Sequence, residues 1–495
     1  MTTDTANGDI AVRVYPGTYR DSVSLMLLSR EVATMDGVAD ALVGMGTAVN
    51  LQSFTEMGAP VPSDVAENDL IVAVQAADPA VREAAFARAE AGDATRPTGA
   101  TGGGERRARS VRTAARVPGQ APASLALVSV PGPHAAGVAL EALNEGLDVM
   151  VFSDNVPLKH EIALKRTAER LGRLVMGPDC GTAVLQGACL GFANVTRPGT
   201  VGVVAASGTG AQHLMSLLDA AHVGVSHCLG VGGRDLSEEV GASSAVRALD
   251  ILDADPQTDR IVVISKPPAP AAAERLTAHA ATLSKPVHTI LLGTQGQDIT
   301  SAVEEVLHAQ GVAVPEWPQW APGSPGGRSA RSGALRGLYC GGTLAEEALL
   351  VVEAELGAVS SNLGKRAAES ETPHRVVDFG ADEFTQGRPH PMIDPMPREE
   401  QLRAELLDED CAVVLLDVVL GHGAHPDPAS GVAAVVRDGR ALGSTTPVIV
   451  SLCGTQDDPQ DLTRQAETLQ AAGAEVYVSN AAAARRAARL AAGKD

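Results

Sequence analysis

From residue 123 onward, short runs of Ala, Val, Leu and Ile alternate with stretches whose apolar residues recur every three or four positions. "ASLALVSV" reads as a strand, His134 to Glu145 as a helix, "LDVMVFSD" as a strand, Leu158 to Leu171 as a helix and "GRLVMGPD" as a strand. After Pro198 the rhythm restarts with "TVGVVAAS", a helix from Thr209, "VSHCLGVGG", a helix around Ser244 to Leu252, "DRIVVIS", a helix from Pro270 and "PVHTILLG". The last part repeats it: "GLYCGG", "CAVVLLDVVLG" and "TTPVIVSLCG", each followed by a helix, then "AEVYVSN". Strands alternating with helices imply right-handed βαβ units and a parallel sheet covered on both faces. The pattern predicts two or three doubly wound α/β domains in series, with ligands beyond the carboxyl ends of the strands.

Composition places the breaks. Residues 92–122 hold six arginines among Gly, Pro, Ala and Thr, which reads as a flexible basic linker, with an anion-binding patch as the alternative. "PEWPQWAPGSPGGRSARSG", 315–333, is a second linker, too rich in Pro, Gly and Ser for regular structure, and 364–374 is a weaker break. The expected pieces are an N-terminal α/β domain at 1–91, then 123–197, 198–314 and 334–495. Of the 495 residues 45% are hydrophobic but only 2% aromatic, so the cores are built from Ala, Val and Leu. The net charge of -21 argues against a nucleic-acid partner, which would want a basic face. No apolar run is long enough to span a membrane, and the first residues lack the pattern of a secretion signal, so the expected location is the cytoplasm. Six scattered cysteines suit buried reduced thiols.

The candidate chemistry gathers at strand ends. In "VGVVAASGTGAQHLM" a strand runs into Ser207-Gly208-Thr209-Gly210 and a helix follows, so backbone N–H groups and the helix dipole favour an anion there. A capped turn without a ligand fits the same residues. A second loop, Gly421-His422-Gly423-Ala424, also ends a strand before a helix, and the two together could close on one phosphate. His422 and His425 have no carboxylate cluster of ligand spacing beside them, so no metal is expected. Arg234 and Asp235 follow one strand and Lys266 another; a cation at that edge suits an anionic substrate, or else an ion pair. "QGRPHPMIDP" fixes Arg388, His390 and Asp394 among three prolines, as a binding loop would. Asp179 and Cys180 in "GPDCGT" have no base nearby in sequence, and packing is the favoured role.

"VMGPDCGTAV", "RPGTVGVVAASGTGAQHL", "GVGGRDLSEEVGA" and "LDADPQTDRIVVISK", in this order, resemble the α subunit of succinyl-CoA synthetase. "VVDFGADE" with "VVLLDVVLGHGA" resembles the carboxyl-terminal domain of its β subunit, and with "YRDSVSLMLLSREV" and "GRPHPMIDP" the whole chain resembles the FdrA family. The resemblance implies tandem Rossmann-like and flavodoxin-like parallel-sheet domains: CoA-binding-like at 123–197, α-like at 198–314 and β-like at 334–495. It also implies two helix N-termini pointing at a phosphate, mapped here onto Ser207, Gly208 and Thr209 and onto Gly421 and Gly423. Four synthetase features are missing. The loop after "VHTILLG" is "GTQGQDITSA", without the phosphorylated histidine; Lys266 stands where its orienting glutamate would; and neither a glycine-rich CoA fingerprint nor an ATP-grasp domain is found. No cofactor is therefore expected. The family further implies one subunit of an oxamate carbamoyltransferase of allantoin and purine catabolism. Such an enzyme exchanges a carbamoyl group between oxamate and phosphate to give carbamoyl phosphate. Lys266, Arg234 and His422 are then the catalytic candidates and Arg388 and His390 the substrate-binding ones, with hetero-oligomeric partner subunits completing the site. An ADP- or GDP-forming acid–CoA ligase and a non-catalytic phosphate- or acyl-CoA-binding subunit are the other two readings.

Overall fold

The computed structural model describes residues 3–7, 9–18, 20, 22–91, 108, 110–117, 121–293, 298–322, 332–363, 372–385 and 389–494. The chain forms two compact units, Met1–Ser110 with Asp382–Pro389, and Val111–Ala381 with His390–Asp495. In the first, four antiparallel strands lie in the order Thr3–Asn7, Ile10–Tyr15, Leu70–Gln75, Asp40–Met45. Alternation along "LIVAVQ" explains its two covered faces. Leu70, Val72 and Val74 pack with Leu25, Leu28, Val32 and Phe86, whereas Ile71 and Ala73 pack with Phe54 on the other side.

The second unit carries three sheets. Leu125–Val128, Asp148–Val151 and Val175–Met176 form a parallel three-stranded one. A six-stranded sheet runs Val287–Leu291, Arg260–Ser265, Pro198–Ala206, Val225–Gly230, Thr182–Leu185, Ala188–Gly191. A seven-stranded sheet runs Gln319–Trp320, Glu475–Tyr477, Val448–Cys453, Cys411–Val419, Ala334–Tyr339, Arg375–Asp378, Ser360–Ser361. The central strands pair in parallel and are buried along their whole inner length, as helices on both faces require. With so few aromatics, helix packing relies on small side chains: Asn480–Ala491 buries Ala481, Ala483, Ala484, Ala487 and Ala488. The expected architecture of tandem parallel α/β domains is the observed one.

Local departures have physical causes. Thr182–Leu185 and Ala188–Gly191 form a hairpin that joins the six-stranded sheet antiparallel, so its edge is not parallel. Inside the supposed linker 315–333, Gln319–Trp320 pairs antiparallel with Glu475–Tyr477, and Trp317 and Trp320 pack on the core; residues 323–331 lie outside the described ones. In the basic segment, Val111–Ala114 is a helical turn and Arg112 and Arg116 both pair with Glu145, while 92–107 lies outside the described residues. No helix among the described residues is long and apolar enough to cross a membrane.

Candidate functional site

The strand Pro198–Ala206 delivers the chain to Ser207, whose extended backbone caps the helix Gly208–Ala220 and whose Oγ accepts the Gly210 N–H at 2.9 Å. The same Oγ lies 2.6 Å from the hydroxyl of Thr343, the second residue of the helix Gly342–Leu356. Thr343 N–H in turn reaches Thr209 Oγ1 at 3.4 Å. Two helix N-termini from two different sheets therefore meet. The N–H groups of Gly208, Thr209 and Gly342 have no hydrogen-bond partner among the described residues. Their dipoles converge with these donors, which is the physics of an anion site.

Glycine is required at different places than expected. At Gly208 an added Cβ would meet only Thr182 Oγ1, at 3.6 Å, so the protein itself leaves room there. At Gly210 it would fall 2.4 Å from Ser207 Oγ and 2.9 Å from Thr343 Cγ2. Gly210→Ala should consequently force the two helix starts apart and destabilise the protein by roughly 1–3 kcal/mol, the usual cost of overpacking. Equilibrium unfolding measures it, and an unchanged midpoint would show that the helix-to-helix contact tolerates more volume than this geometry allows.

Charged groups close around the second helix start. Parallel pairing sets Asp378 opposite Tyr339, at the end of the strand before Gly341. A Cβ at Gly342 would lie 2.6 Å from Asp378 Oδ2 and 3.0 Å from Lys266 Nζ, so glycine there makes room for both. Lys266 is half-buried, directly after the strand Arg260–Ser265; its carbonyl accepts from Ser265 Oγ, and its ammonium has no ion-pair or hydrogen-bond partner among the described residues. His390 joins the group: its Nε2 and Asp378 Oδ1 lie 2.7 and 3.1 Å from the Cβ position of Gly380. His390 Nδ1 accepts the Met392 N–H, so the neutral ring carries its proton on Nε2. Burial, aided by Arg398, pushes its pKa down to about 4 and keeps it neutral. The ring leans on Phe192, 5.9 Å between centroids.

Other expected site residues fall elsewhere. The Gly421 loop does not head a helix; Asp427-Pro428 moves the helix start to Pro428. Two of its donors are also spent, Gly421 N–H on Gln460 Oε1 and His422 N–H on Ala193 O. Gly421 and Gly423 pack against Ala193 and Phe192, and the His422 side chain is exposed. The helix start opposed to 208–220 is therefore that at Gly342, and Gly421, His422 and Gly423 do not form it. Arg234 pairs with Glu161 at 2.8 Å and donates to Val156 O, in a network where buried Lys165 also binds Glu161 and Asp235. It is a structural ion pair rather than a group facing the helix starts. Arg388 lies outside the described residues. Cys180 is buried with its thiol pushed up to about 12 by desolvation, in keeping with packing.

Behind the helix starts sits a buried polar cluster with no local sequence signal. Glu347, one turn below Thr343, accepts Ile299 N–H at 2.6 Å and Asn480 Nδ2 at 2.7 Å. Desolvation first, and the charge of Asp298 second, raise its pKa to about 7. A carboxyl whose pKa is higher folded than unfolded contributes fully below about 4.5 and loses that contribution as pH rises to about 7. His213, buried with a pKa lowered to about 4, pulls stability the opposite way over overlapping pH. The stability of wild type minus that of Glu347→Gln should accordingly fall by about 3 kcal/mol between pH 4.5 and 7, measured by denaturant titration. A flat difference would mean that Glu347 is ionised in the fold throughout.

Comparisons with known proteins follow this geometry. Residues 338–490, which include Gly341, Gly342, Thr343, Asp378 and His390, match the CoA-ligase family. Residues 7–109 match a family described as AllF, heavy metal-associated domain. That stretch contains neither cysteine nor histidine, and no group of three or more His, Cys, Asp or Glu side chains that could hold a metal ion occurs among the described residues. Over 494 residues the chain is 35% identical to the uncharacterized protein YahF of Escherichia coli (strain K12), covering 94% of this chain and 95% of that one. It is 27% identical over 211 residues to the α subunit of ADP-forming succinate–CoA ligase of Methanothermobacter thermautotrophicus, covering 39% of this chain and 70% of the relative. A malate–CoA ligase α subunit of Methylorubrum extorquens is 27% identical over 179 residues, covering 34% and 59%. A dinucleotide-forming acetyl-coenzyme A synthetase of Ca. Korarchaeum cryptofilum, solved with phosphate and ADP, aligns over 80% of this chain and 87% of its own at 18% identity and a TM-score of 0.32. These relatives overturn the expectation of a carbamoyltransferase: the CoA-ligase match and the succinate–CoA ligase relatives point to a ligase. The oxamate, carbamoyl phosphate and allantoin assignments find no support in these relatives. The chain belongs to the FdrA-like family that includes YahF, related to the succinyl-CoA synthetases and bearing a CoA-ligase domain at 338–490.

Proposed function

We propose that this chain is the phosphate- and acyl-handling part of an acid–CoA ligase, acting where the helices 208–220 and 342–356 begin. One observation carries the reading: two opposed helix N-termini, with N–H donors unused among the described residues, share an edge with the Lys266 ammonium, which has no partner among them. A phosphate or acyl phosphate placed there accepts from Gly208, Thr209 and Gly342 N–H and from the threonine hydroxyls, and Lys266 balances its charge. When the sulfur of CoA attacks the acyl carbon, the C–O bond to phosphate breaks and the thiol proton passes to the departing phosphate. The charge that grows on that leaving oxygen is met by donors already in position.

The chain has no histidine in 293–302, so a phosphohistidine relay from that loop is not part of the proposal. Nucleotide binding is assigned to a separate partner chain, in line with the relatives that are named as subunits. The test uses the full chain, alone and co-expressed with its chromosomal neighbours, given succinyl-CoA and inorganic phosphate. Phosphate-dependent release of CoA, slow or absent for the chain alone and restored with its partner, is the expected result. No phosphate dependence in any combination would overturn the reading.

A further inference from the structure

The ring of His390 is tied down at one nitrogen and unused at the other. Its Nδ1 accepts the Met392 N–H at 3.2 Å, and its carbonyl accepts from the N–H groups of Ile393 and Asp394. Nε2 therefore carries the proton of the neutral ring, and it has no hydrogen-bond partner among the described residues. The ring is half-buried rather than sealed in a core. Phe192, against which it leans, is itself held in place. Its N–H donates to Gly181 O at 2.7 Å, its carbonyl accepts Thr182 Oγ1 at 2.6 Å, and Phe152 packs on it with ring centroids 5.8 Å apart. This pair of rings borders both helix starts. Thr182 Oγ1, which holds Phe192, is the atom that a Cβ at Gly208 would meet. Gly380 packs between His390 Nε2 and the carbonyl of Cys340, two residues before Gly342.

We propose that His390 is a catalytic residue of the acyl transfer, with its Nε2–H donating to the carbonyl oxygen of the acyl group. This rests on the reading of the helix starts as a phosphate site. When the thiol sulfur of CoA attacks the acyl carbon, the π pair of the C=O bond moves onto oxygen. That oxyanion accepts the Nε2–H hydrogen bond, and the proton stays on nitrogen throughout. Return of the pair re-forms the C=O bond and breaks the C–O bond to phosphate, which leaves with the thiol proton. Atoms and charge balance with no base at His390. A neutral imidazole suits the task, because the ring polarises a carbonyl and moves no proton. A pKa of about 4 keeps the ring in that form at neutral pH. The bond from Met392 N–H to Nδ1 and the packing on Phe192 hold it in one tautomer and one place.

The experiment titrates the full chain calorimetrically with two phosphonates. Acetonylphosphonate replaces the bridging oxygen of acetyl phosphate by a methylene, and propylphosphonate lacks the carbonyl as well. The parent should bind acetonylphosphonate roughly twofold to tenfold more tightly, as one hydrogen bond to a neutral acceptor gives. His390→Asn keeps an oxygen that can accept the Met392 N–H but reaches no further, and it should lose the preference. His390→Gln extends an amide N–H toward the place of Nε2, and it should keep the preference. A ring that only braces Met392 would leave the preference equal in all three proteins. The readout is a ratio of two affinities within one protein, so a weakened fold does not imitate its loss. An equal preference in all three, or none in a parent that still binds inorganic phosphate, overturns the role of His390 alone. A parent that binds neither the phosphonates nor inorganic phosphate overturns the phosphate site as well.

Discussion

Asp417→Asn is expected to destabilise the protein by about 3–5 kcal/mol, the usual cost of breaking a buried charge pair from one side. Asp417 is fully buried in the strand Cys411–Val419, where it interrupts an otherwise apolar run. Its Oδ1 accepts from Cys340 N–H at 2.8 Å and from Arg398 Nη1 at 2.7 Å, and its Oδ2 from Gly341 N–H at 2.8 Å. Arg398, 4% exposed, also donates to the carbonyl of Asp417. An amide there leaves Arg398 without a counter-charge and turns a donor toward at least one backbone N–H. Replacing both partners, Asp417→Leu with Arg398→Met, should restore only part of the loss, because the N–H groups of Cys340 and Gly341 would stay unsatisfied. Denaturant unfolding of the three variants measures this. If the single variant matches the parent, the carboxylate is not what fixes the start of the second helix.

Lys266→Met is expected to weaken phosphate binding roughly tenfold to a hundredfold, the equivalent of one charge-assisted hydrogen bond of about 1.5–3 kcal/mol. The fold should hardly notice, because the Lys266 ammonium makes no ion pair or hydrogen bond among the described residues and the methionine keeps most of its apolar stem. Ser207→Ala should behave the other way round. Its hydroxyl is committed to Gly210 and Thr343, so its loss costs about 1 kcal/mol of stability and little affinity. Calorimetric titration of inorganic phosphate beside thermal melts separates the two patterns. Equal phosphate affinity in Lys266→Met and the parent would remove Lys266 from the site.

The alternation of apolar runs with helical periodicity was sufficient to place the parallel strands, because strands buried on both faces are written as continuous Val, Ile, Leu and Ala. The first helix start was legible for a local reason: a strand runs directly into a capping serine with two glycines within the next three residues. The second was not. Cys340-Gly341-Gly342-Thr343 prolongs a strand pattern without an N-cap side chain, whereas Gly421-His422-Gly423 imitates a loop before a helix. Asp427-Pro428 was the legible correction, since proline is favoured in the first turn of a helix and so marks a later start. Asp378 and Glu347 owe their surroundings to partners far away in sequence: pairing of Arg375–Asp378 with Ala334–Tyr339, and contacts with Ile299 and Asn480. Arg234 looked like a substrate cation only because its partner Glu161 lies 73 residues earlier.

The hydroxyl contact between Ser207 and Thr343 joins residues 136 apart in sequence and two separate sheets. A ligand gripped by both helix starts would therefore act as a thermodynamic clasp. Occupancy at a hundred times its dissociation constant adds about 2.7 kcal/mol to the native state, and neither sheet could open at this edge without forfeiting it. Hydrogen exchange should register this as slowed opening on both sides of the contact at once, at Gly208–Ala220 and at Gly342–Leu356, although each helix belongs to a different hydrophobic core. Because both halves are carried on one polypeptide, dilution leaves the clasp intact, as it would not for a site divided between dissociable chains.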